Sequence, residues 1–485
     1  VVLIQVNDVY EIAPVSGGRE GGMARVASLK KEFLAKNPNT FLLMAGDFLS
    51  PSVFNSLQFE GKSIRGRQMV EAMNAAGTNL AVFGNHEFDI REQELMDRIN
   101  ESAFEWVASN AFHKTAGKVE PFYKKFGRKK DEIQQAFTME VKDADGTIAK
   151  IGFIGITIPS NRQDYVNYTD PLRSAKHIYD SLKNNVDAVI AITHQEIKDD
   201  ILLAKAIPGL AAIIGGHEHD MRYEKVGKVQ ITKAHANARS AYVVKLKIKT
   251  KRDKVNTSTE LRYLDEKIPL DSHTNVVIEK WTAIASRNFA SIGFDPSKVL
   301  IKKSVPLDGR ETETRFRSTN LTRLIVSAME AAAPQPDVVL FNSGSIRIDD
   351  IIHPPMTQYD LIRALPFGGG IQQVEMRGNL LIKTLDQGMN NRGNGGFLLY
   401  NEAVKYDTSK NRWLLKETPI DPEQIYKVAM TDYLLTGRET NLAYLEPKNT
   451  DILSVYRYQP HIGHPMSDIR QAVIRYMEAR GFELE

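Results

Sequence analysis

Five short apolar runs in the first half of the chain all end on residues that can ligate a cation or carry a proton. VVLIQVND ends at Asp8, FLLMAGD at Asp47, LAVFGNHEFD at Asn85 and His86, DAVIAITHQ at His194, and AAIIGGHEHDM at His217 and His219. Runs this short and continuous, rich in Val, Ile, Leu and Ala, have the pattern of strands covered on both faces. One polar residue after such a strand is ordinary turn chemistry. Five together point elsewhere, because ligands of an open α/β sheet bind beyond the carboxyl ends of its strands. Two carboxylates, an amide and several imidazoles gathered there make a donor set for a metal centre. The chain has no cysteine, so disulfides and thiolate zinc sites are excluded and every metal ligand must be N or O.

A chain of 485 residues is long for one core, and two domains are expected. Strand-like and helix-like stretches alternate up to about residue 270. GGMARVASLKKEFLAK is entered through glycines, QMVEAMNAAG ends at Gly77, and PLRSAKHIYDSLKN starts at Pro171; all three read as helices. His177, inside the last of them, reads as a surface or packing histidine. YKKFGRKKDEIQQAF is charge-rich and reads as a solvated loop or hairpin. TNVVIEKWTAIASRNFASIG is a helical pattern between polar stretches, and the domain junction is placed there. The expected division is 1–272 for the first domain, 273–298 for a connecting helix and 299–485 for a second α/β domain.

Lys+Arg 63 against Asp+Glu 60 leaves a net charge of only +3, which argues against a nucleic-acid polymer as partner. No apolar stretch reaches the ~18 residues of a membrane span. The chain opens directly in a strand, where a removed signal peptide and a trimmed terminus look alike.

Two divalent cations about 3.5–4 Å apart can polarise a phosphoryl oxygen, supply a hydroxide and clamp both ends of an in-line displacement. Asp47 is the best candidate for a carboxylate shared between them. Asn85 is a weak ligand, acceptable in a phosphatase-like centre. His86 beside it would then face the substrate, stabilising charge and protonating a leaving oxygen. Asp89, three residues on, would orient that ring and raise its pKa.

ND at 7–8, GGMAR at 21–25, GD at 46–47, GNHEFD at 84–89, TH at 193–194 and GGHEH at 215–219 resemble the motifs of the calcineurin-like metallophosphoesterases, and more narrowly of their 5′-nucleotidase branch. The resemblance implies an α/β fold: a four-layer αββα metallophosphoesterase domain followed by a smaller α/β substrate-binding domain. It implies one divalent metal held by Asp8, Asp47 and His219, and a second held by Asp47, Asn85, His194 and His217. His86 and Asp89 form the implied catalytic dyad. The ions are expected to be Zn²⁺, Mn²⁺ or Mg²⁺. The glycines of GGHEH are expected to let the backbone turn close to them.

One position departs from the family. Its first motif is Asp-x-His, and here it reads Asp8-Val9-Tyr10. An ordinary phenol has a pKa of about 10 and needs a metal to deprotonate it. Two readings of Tyr10 stand open: a substitute ligand, or a residue beside a looser site completed by water and suited to Mn²⁺ or Mg²⁺.

RFRSTNLTRLIVSAM, FNSGSIR, LPFGG and GGFL resemble the 5′-nucleotidase C-terminal domain. By that resemblance Arg315, Asn342 and Arg347 contact the substrate, and Phe367 forms one face of a base-stacking slot. The second aromatic and a ribose-binding acid normally come from an aromatic-Leu-x-x-Gly-Gly-Asp-Gly-aromatic motif. This chain has YLLTGRETN, which keeps the aromatic as Tyr433 but replaces Gly-Asp-Gly with Arg438, Glu439 and Thr440. The expected activity is hydrolysis of nucleoside 5′-phosphates to nucleoside and phosphate. The rival readings are a sugar-phosphate or glycoside-phosphate phosphatase, a 2′,3′-cyclic nucleotide phosphodiesterase, and a metal-poor binding protein. The resemblance and the absence of cysteine lean towards an exported protein, with a cytoplasmic one as the alternative.

Overall fold

The computed structural model describes residues 1–127, 129–250, 254–302, 305–456, 461 and 463–480. The chain divides into two compact units, Val1–Ala285 and Ser286–Glu485, and the division falls inside the helix Ser272–Ser291.

The first unit is built on two six-stranded sheets. One runs in the order Lys254–Tyr263, Ser240–Lys249, Val2–Val6, Thr40–Ala45, Leu80–Val82, Glu105–Trp106. Its last four strands are parallel and its first two antiparallel. The other runs Ala136–Lys142, Ile148–Thr157, Ala188–His194, Ala212–Gly216, Val229–Lys233, Arg222–Val226, with four parallel strands between antiparallel edges.

Alternation along a strand sends successive side chains to opposite faces, and here both faces are apolar. Ala188, Ile190 and Ile192 join Leu3, Leu43, Val82 and Val244 in a core between the sheets. Val189 and Ala191 instead pack under Ala175, Ile178 and Leu182 of the helix Pro171–Leu182, and under Leu203 and Ala204 of the helix Ile197–Ala206. On the other sheet Leu42 and Met44 are fully buried outside the shared core, on the side where the helix Met23–Leu34 packs against Thr40–Ala45. The result is the expected four-layer αββα arrangement. Each fully buried Leu or Ile contributes about 1.5–3 kcal/mol, so the double-sided runs hold the strand ends in place.

The helices begin where local chemistry allows. Asp170 accepts from the Arg173 N–H at 2.7 Å with Pro171 in the first turn, a cap worth about 1 kcal/mol. The charge-rich stretch forms a hairpin of Tyr123–Phe126 with Lys129–Glu132, Arg128 lying outside the described residues. His177 is exposed on its helix. No helix among the described residues is long and apolar enough to cross a membrane.

The second unit holds a five-stranded sheet in the order Leu398–Tyr400, Val338–Asn342, Ile425–Thr431, Ile371–Arg377, Ile452–Tyr456. Val338, Leu340, Val374 and Val428 meet Leu381 and Leu385 of the helix Gly378–Asn390 in its core. The helix Asn320–Ala332 packs on the sheet and against the helix Ile469–Ala479.

Candidate metal centre

Asp8 and Asp47 stand two residues beyond neighbouring parallel strands whose register pairs Val6 with Met44. The register brings them side by side, and the Asp8 N–H donates to the Gly46 carbonyl at 3.0 Å. Both have left-handed backbones, with φ 52° and 56°, and His217 has φ 90°. Such conformations cost a non-glycine residue about 1–3 kcal/mol and persist only where the surroundings enforce them. His194 is the last residue of its strand in the other sheet.

These groups converge. Asp8, Asp47 and His194 are all buried and offer ligand atoms within 4.8 Å of one another. His194 Nε2 lies 3.0 Å from Asp47 Oδ2 and 3.8 Å from Asp8 Oδ1. Its Nδ1 is 2.8 Å from the Ala45 carbonyl, which can only accept, so Nδ1 carries a proton. The His217 N–H donates to Asp8 Oδ2 at 3.0 Å, and its ring meets that of His194 edge-on at 5.4 Å. His219 Nε2 lies 3.6 Å from Asp8 Oδ1.

Electrostatics follows from this crowding. Burial lowers the pKa of His194, but the Asp47 and Asp8 carboxylates outweigh it and raise it to about 9. Burial, with the His194 charge beside it, pushes His217 down to about 3, leaving a neutral imidazole. Burial would raise Asp47, yet His194 and His86 hold it below the usual carboxylate range. Burial raises Asp8 against the pull of His194 and His219.

The donor set fits a divalent cation. Asn85 Oδ1 is buried without a hydrogen-bond partner among the described residues, an orphaned acceptor of a kind that is rare unless something else satisfies it, and His194 Nε2 faces only the carboxylates of Asp47 and Asp8. Glycines keep the cluster tight. A Cβ on Gly84 would sit 2.1 Å from Asp47 Oδ1, and one on Gly46, at φ 82°, would sit 2.5 Å from His194 Nδ1. Gly216 ends the strand Ala212–Gly216, where a Cβ would lie 2.4 Å from the Ala45 carbonyl. The GGHEH glycines therefore serve close strand approach, and the sharp backbone turn falls on His217.

His86 and Asp89 bound a single 3-10 turn, His86–Asp89, with His86 Nδ1 2.7 Å from Asp89 Oδ2. Asp89 also accepts from Ser50 Oγ at 2.9 Å and Asn161 Nδ2 at 2.8 Å. The His86 N–H donates to Asp47 Oδ1 at 2.8 Å, while its side chain remains 28% exposed. Its ring is thus the open member of a buried cluster.

Three supporting groups were missed in the sequence reading. Glu87 is fully buried and accepts four backbone N–H bonds, from Gly84, Asp47, Phe48 and Leu49, at 2.5–3.0 Å. Burial and the Asp47 charge push it up to about 7, against the pull of those N–H groups. Lys233, also fully buried, reaches Asp200 at 3.0 Å, the carboxylate of Glu218, and the carbonyls of Gln195 at 2.5 Å and Gly216 at 2.8 Å. It ties Gly216 and Glu218 of the GGHEH loop to Gln195, the residue after His194. Asn161 had a readable signal: it follows the apolar strand Ile148–Thr157 just as the proposed ligands follow theirs.

In the second unit, Asn342 Nδ2 donates to Glu439 Oε2 at 2.7 Å, and Asn342 Oδ1 accepts from Ser345 Oγ at 2.9 Å. Glu439 is buried, so it reaches back to the NSGSIR loop, while Arg438 is exposed. Arg315 is buried, paired with Glu311 and 3.5 Å from Ser343 Oγ. The Arg347 guanidinium lies 5.5 Å from the centre of the Phe367 ring. Phe367 is 66% exposed and Tyr433 44%, high for aromatic rings without a partner surface. Burial and the Glu439 charge raise the Tyr433 phenol, against Arg347 and Arg438.

Residues 1–221 match the family model for calcineurin-like phosphoesterases, and residues 299–444 match that for the 5′-nucleotidase C-terminal domain. The chain is similar to the 5′-nucleotidase of Bos taurus, 25% identical over 471 residues, covering 86% of this chain and 78% of the bovine one. It is similar to that of Homo sapiens at 24% over 471 residues, covering 86% and 78%. Among solved structures, a 5′-nucleotidase precursor from Thermus thermophilus superposes with a TM-score of 0.69 at 21% identity, covering 99% of this chain and 96% of that one. A sulfate thiohydrolase from the same genus superposes at 0.63 with 16% identity, covering 99% and 94%. One fold thus carries more than one chemistry, and the site must decide between them.

Proposed function

Because the chain belongs to the 5′-nucleotidase family of calcineurin-like phosphoesterases, we propose that it is a two-metal phosphomonoesterase that hydrolyses nucleoside 5′-phosphates. The observation that carries the reading is the convergence of Asp8, Asp47 and His194 at the ends of three strands. In this reading residues 1–272 hold the hydrolytic centre, 273–298 connect, and 299–485 recognise the nucleoside.

Asp8, Asp47 and His219 would hold one cation, and Asp47, Asn85, His194 and His217 the other. When bound, such ions neutralise the phosphoryl oxygens and supply a hydroxide at neutral pH. His86 presents a proton at Nε2 to the leaving 5′ oxygen while Nδ1–H donates to Asp89. Asp89, fixed by Ser50 and Asn161, keeps that tautomer and ring orientation. Phe367 and Tyr433 offer faces for a base, a contact worth about 1–3 kcal/mol. Arg315, Asn342 and Arg347 supply donors for anionic oxygens and sugar hydroxyls.

The test is phosphate release from 5′-AMP, a sugar phosphate and a 2′,3′-cyclic nucleotide, each with Mn²⁺, Mg²⁺, Zn²⁺ or Co²⁺. Turnover of 5′-AMP, abolished by a chelator and restored by metal, is expected. Hydrolysis of the sugar phosphate or cyclic nucleotide with none of 5′-AMP would overturn the substrate assignment.

A further inference from the structure

Tyr10 stands where the family motif has a histidine, and its hydroxyl is drawn into the candidate centre. Tyr10 Oη lies 3.4 Å from Asp8 Oδ1, 3.4 Å from Asp47 Oδ2 and 2.9 Å from His219 Nε2. The side chain is not a mobile surface group. The residue is 7% exposed, its N–H donates to Asn237 Oδ1 at 3.2 Å, and its ring meets His219 edge-on at 5.4 Å and 62°.

The proton count is short. A phenol has one proton, and two carboxylate oxygens and an imidazole nitrogen face it. With His219 donating to Tyr10, the single phenol proton still serves two carboxylate oxygens, both at the far limit of a hydrogen bond. The separations instead match a ligand shell. Donor atoms ~2.0–2.1 Å from a small divalent cation lie ~2.8–3.0 Å from one another in octahedral geometry and ~3.3–3.4 Å in tetrahedral geometry. Tyr10 Oη falls in that window against all three, at 3.4 Å from Asp8 Oδ1, 3.4 Å from Asp47 Oδ2 and 2.9 Å from His219 Nε2, and His219 Nε2 stands a little wider, 3.6 Å from Asp8 Oδ1.

We propose that the phenol oxygen of Tyr10 is itself a ligand of the cation held by Asp8, Asp47 and His219. The assignment rests on the two-metal reading above and deepens it. A shell of three oxygens and one imidazole is harder than one with two imidazoles, and it shifts preference at this position from Zn²⁺ towards Mn²⁺ and iron.

The experiment strips the full-length protein with a chelator and reloads it with Fe³⁺, or with Zn²⁺ or Mn²⁺. A tyrosine oxygen bound to Fe³⁺ produces a visible charge-transfer band, and bound to Zn²⁺ or Mn²⁺ it produces a phenolate difference spectrum in the ultraviolet. Wild type is expected to show these signals. Tyr10→Phe is expected to lose them, to bind one of its two ions at least tenfold more weakly, and to keep the wild-type melting temperature in the metal-free state. Tyr10→His is expected to restore the affinity without the tyrosine signal. Two bound ions without either signal, or equal signals and affinities in wild type and Tyr10→Phe, would overturn the role of Tyr10 and leave the two-metal reading standing. Failure to bind any of these cations would overturn both.

Discussion

His86 Nδ1 and Asp89 Oδ2 are 2.7 Å apart across one 3-10 turn, and the His86 N–H is bonded to Asp47 at the same time. The ring is therefore positioned by its own backbone as well as by its partner. His86→Asn is expected to lower kcat by about 10²–10⁴ while elemental analysis finds the metal content unchanged. Loss of metal in step with activity would make His86 a ligand.

Asp47→Ala is expected to empty both metal positions, because Asp47 contacts His194 and Tyr10 through one oxygen and the His86 N–H through the other. His219→Ala should release mainly one ion. Metal-to-protein ratios of the two purified variants check this, and equal losses in both would contradict the partition.

In the metal-free protein the His194 pKa is raised to about 9, above its ordinary value. Its pairing with Asp47 and Asp8 therefore stabilises the fold fully below about pH 6.5, and that contribution fades as pH rises through 9. A cation at Asp47 and His194 must displace this proton, so affinity should climb with pH and loading near neutrality should release protons. Calorimetry in buffers of different ionisation enthalpy measures that release. Buffer-independent heats would count against the linkage.

Lys233 is fully buried against Asp200, itself fully buried. Lys233→Met leaves a buried carboxylate without its cation and should destabilise the protein by about 3–5 kcal/mol. Denaturant melts read the loss directly. Replacing both with apolar residues should recover a large part of it.

Tyr433→Ala should raise KM for 5′-AMP about tenfold, within the range of one lost base stack. Hydrolysis of an aryl phosphate, which has no nucleobase, should change little. Equal losses on both substrates would place Tyr433 outside nucleoside recognition.

The positions of Asp8, Asp47 and His194 were legible because apolar periodicity marks where a buried strand stops, and parallel sheets align those stops. The four-layer arrangement followed from the same runs together with the family resemblance. Glu87 and Lys233 were not legible. Their work lies in backbone N–H and carbonyl groups contributed by other loops, and no spacing along the chain says which of several acids or lysines turns inward. Nor did the motif announce that the strain of the GGHEH turn falls on His217 while Gly216 makes room for Ala45 and His194, and Gly215 for Lys233.

Glu87 also sets a clock. The amide hydrogens of Gly84, Asp47, Phe48 and Leu49 all end on one buried carboxyl group, so water reaches them only when the pocket around Glu87 opens as a whole. Exchange with solvent at these four positions should then proceed only through large-scale opening of the first unit, at the rate of its central strands. A segment that is irregular by shape would be, by lifetime, part of the sheet.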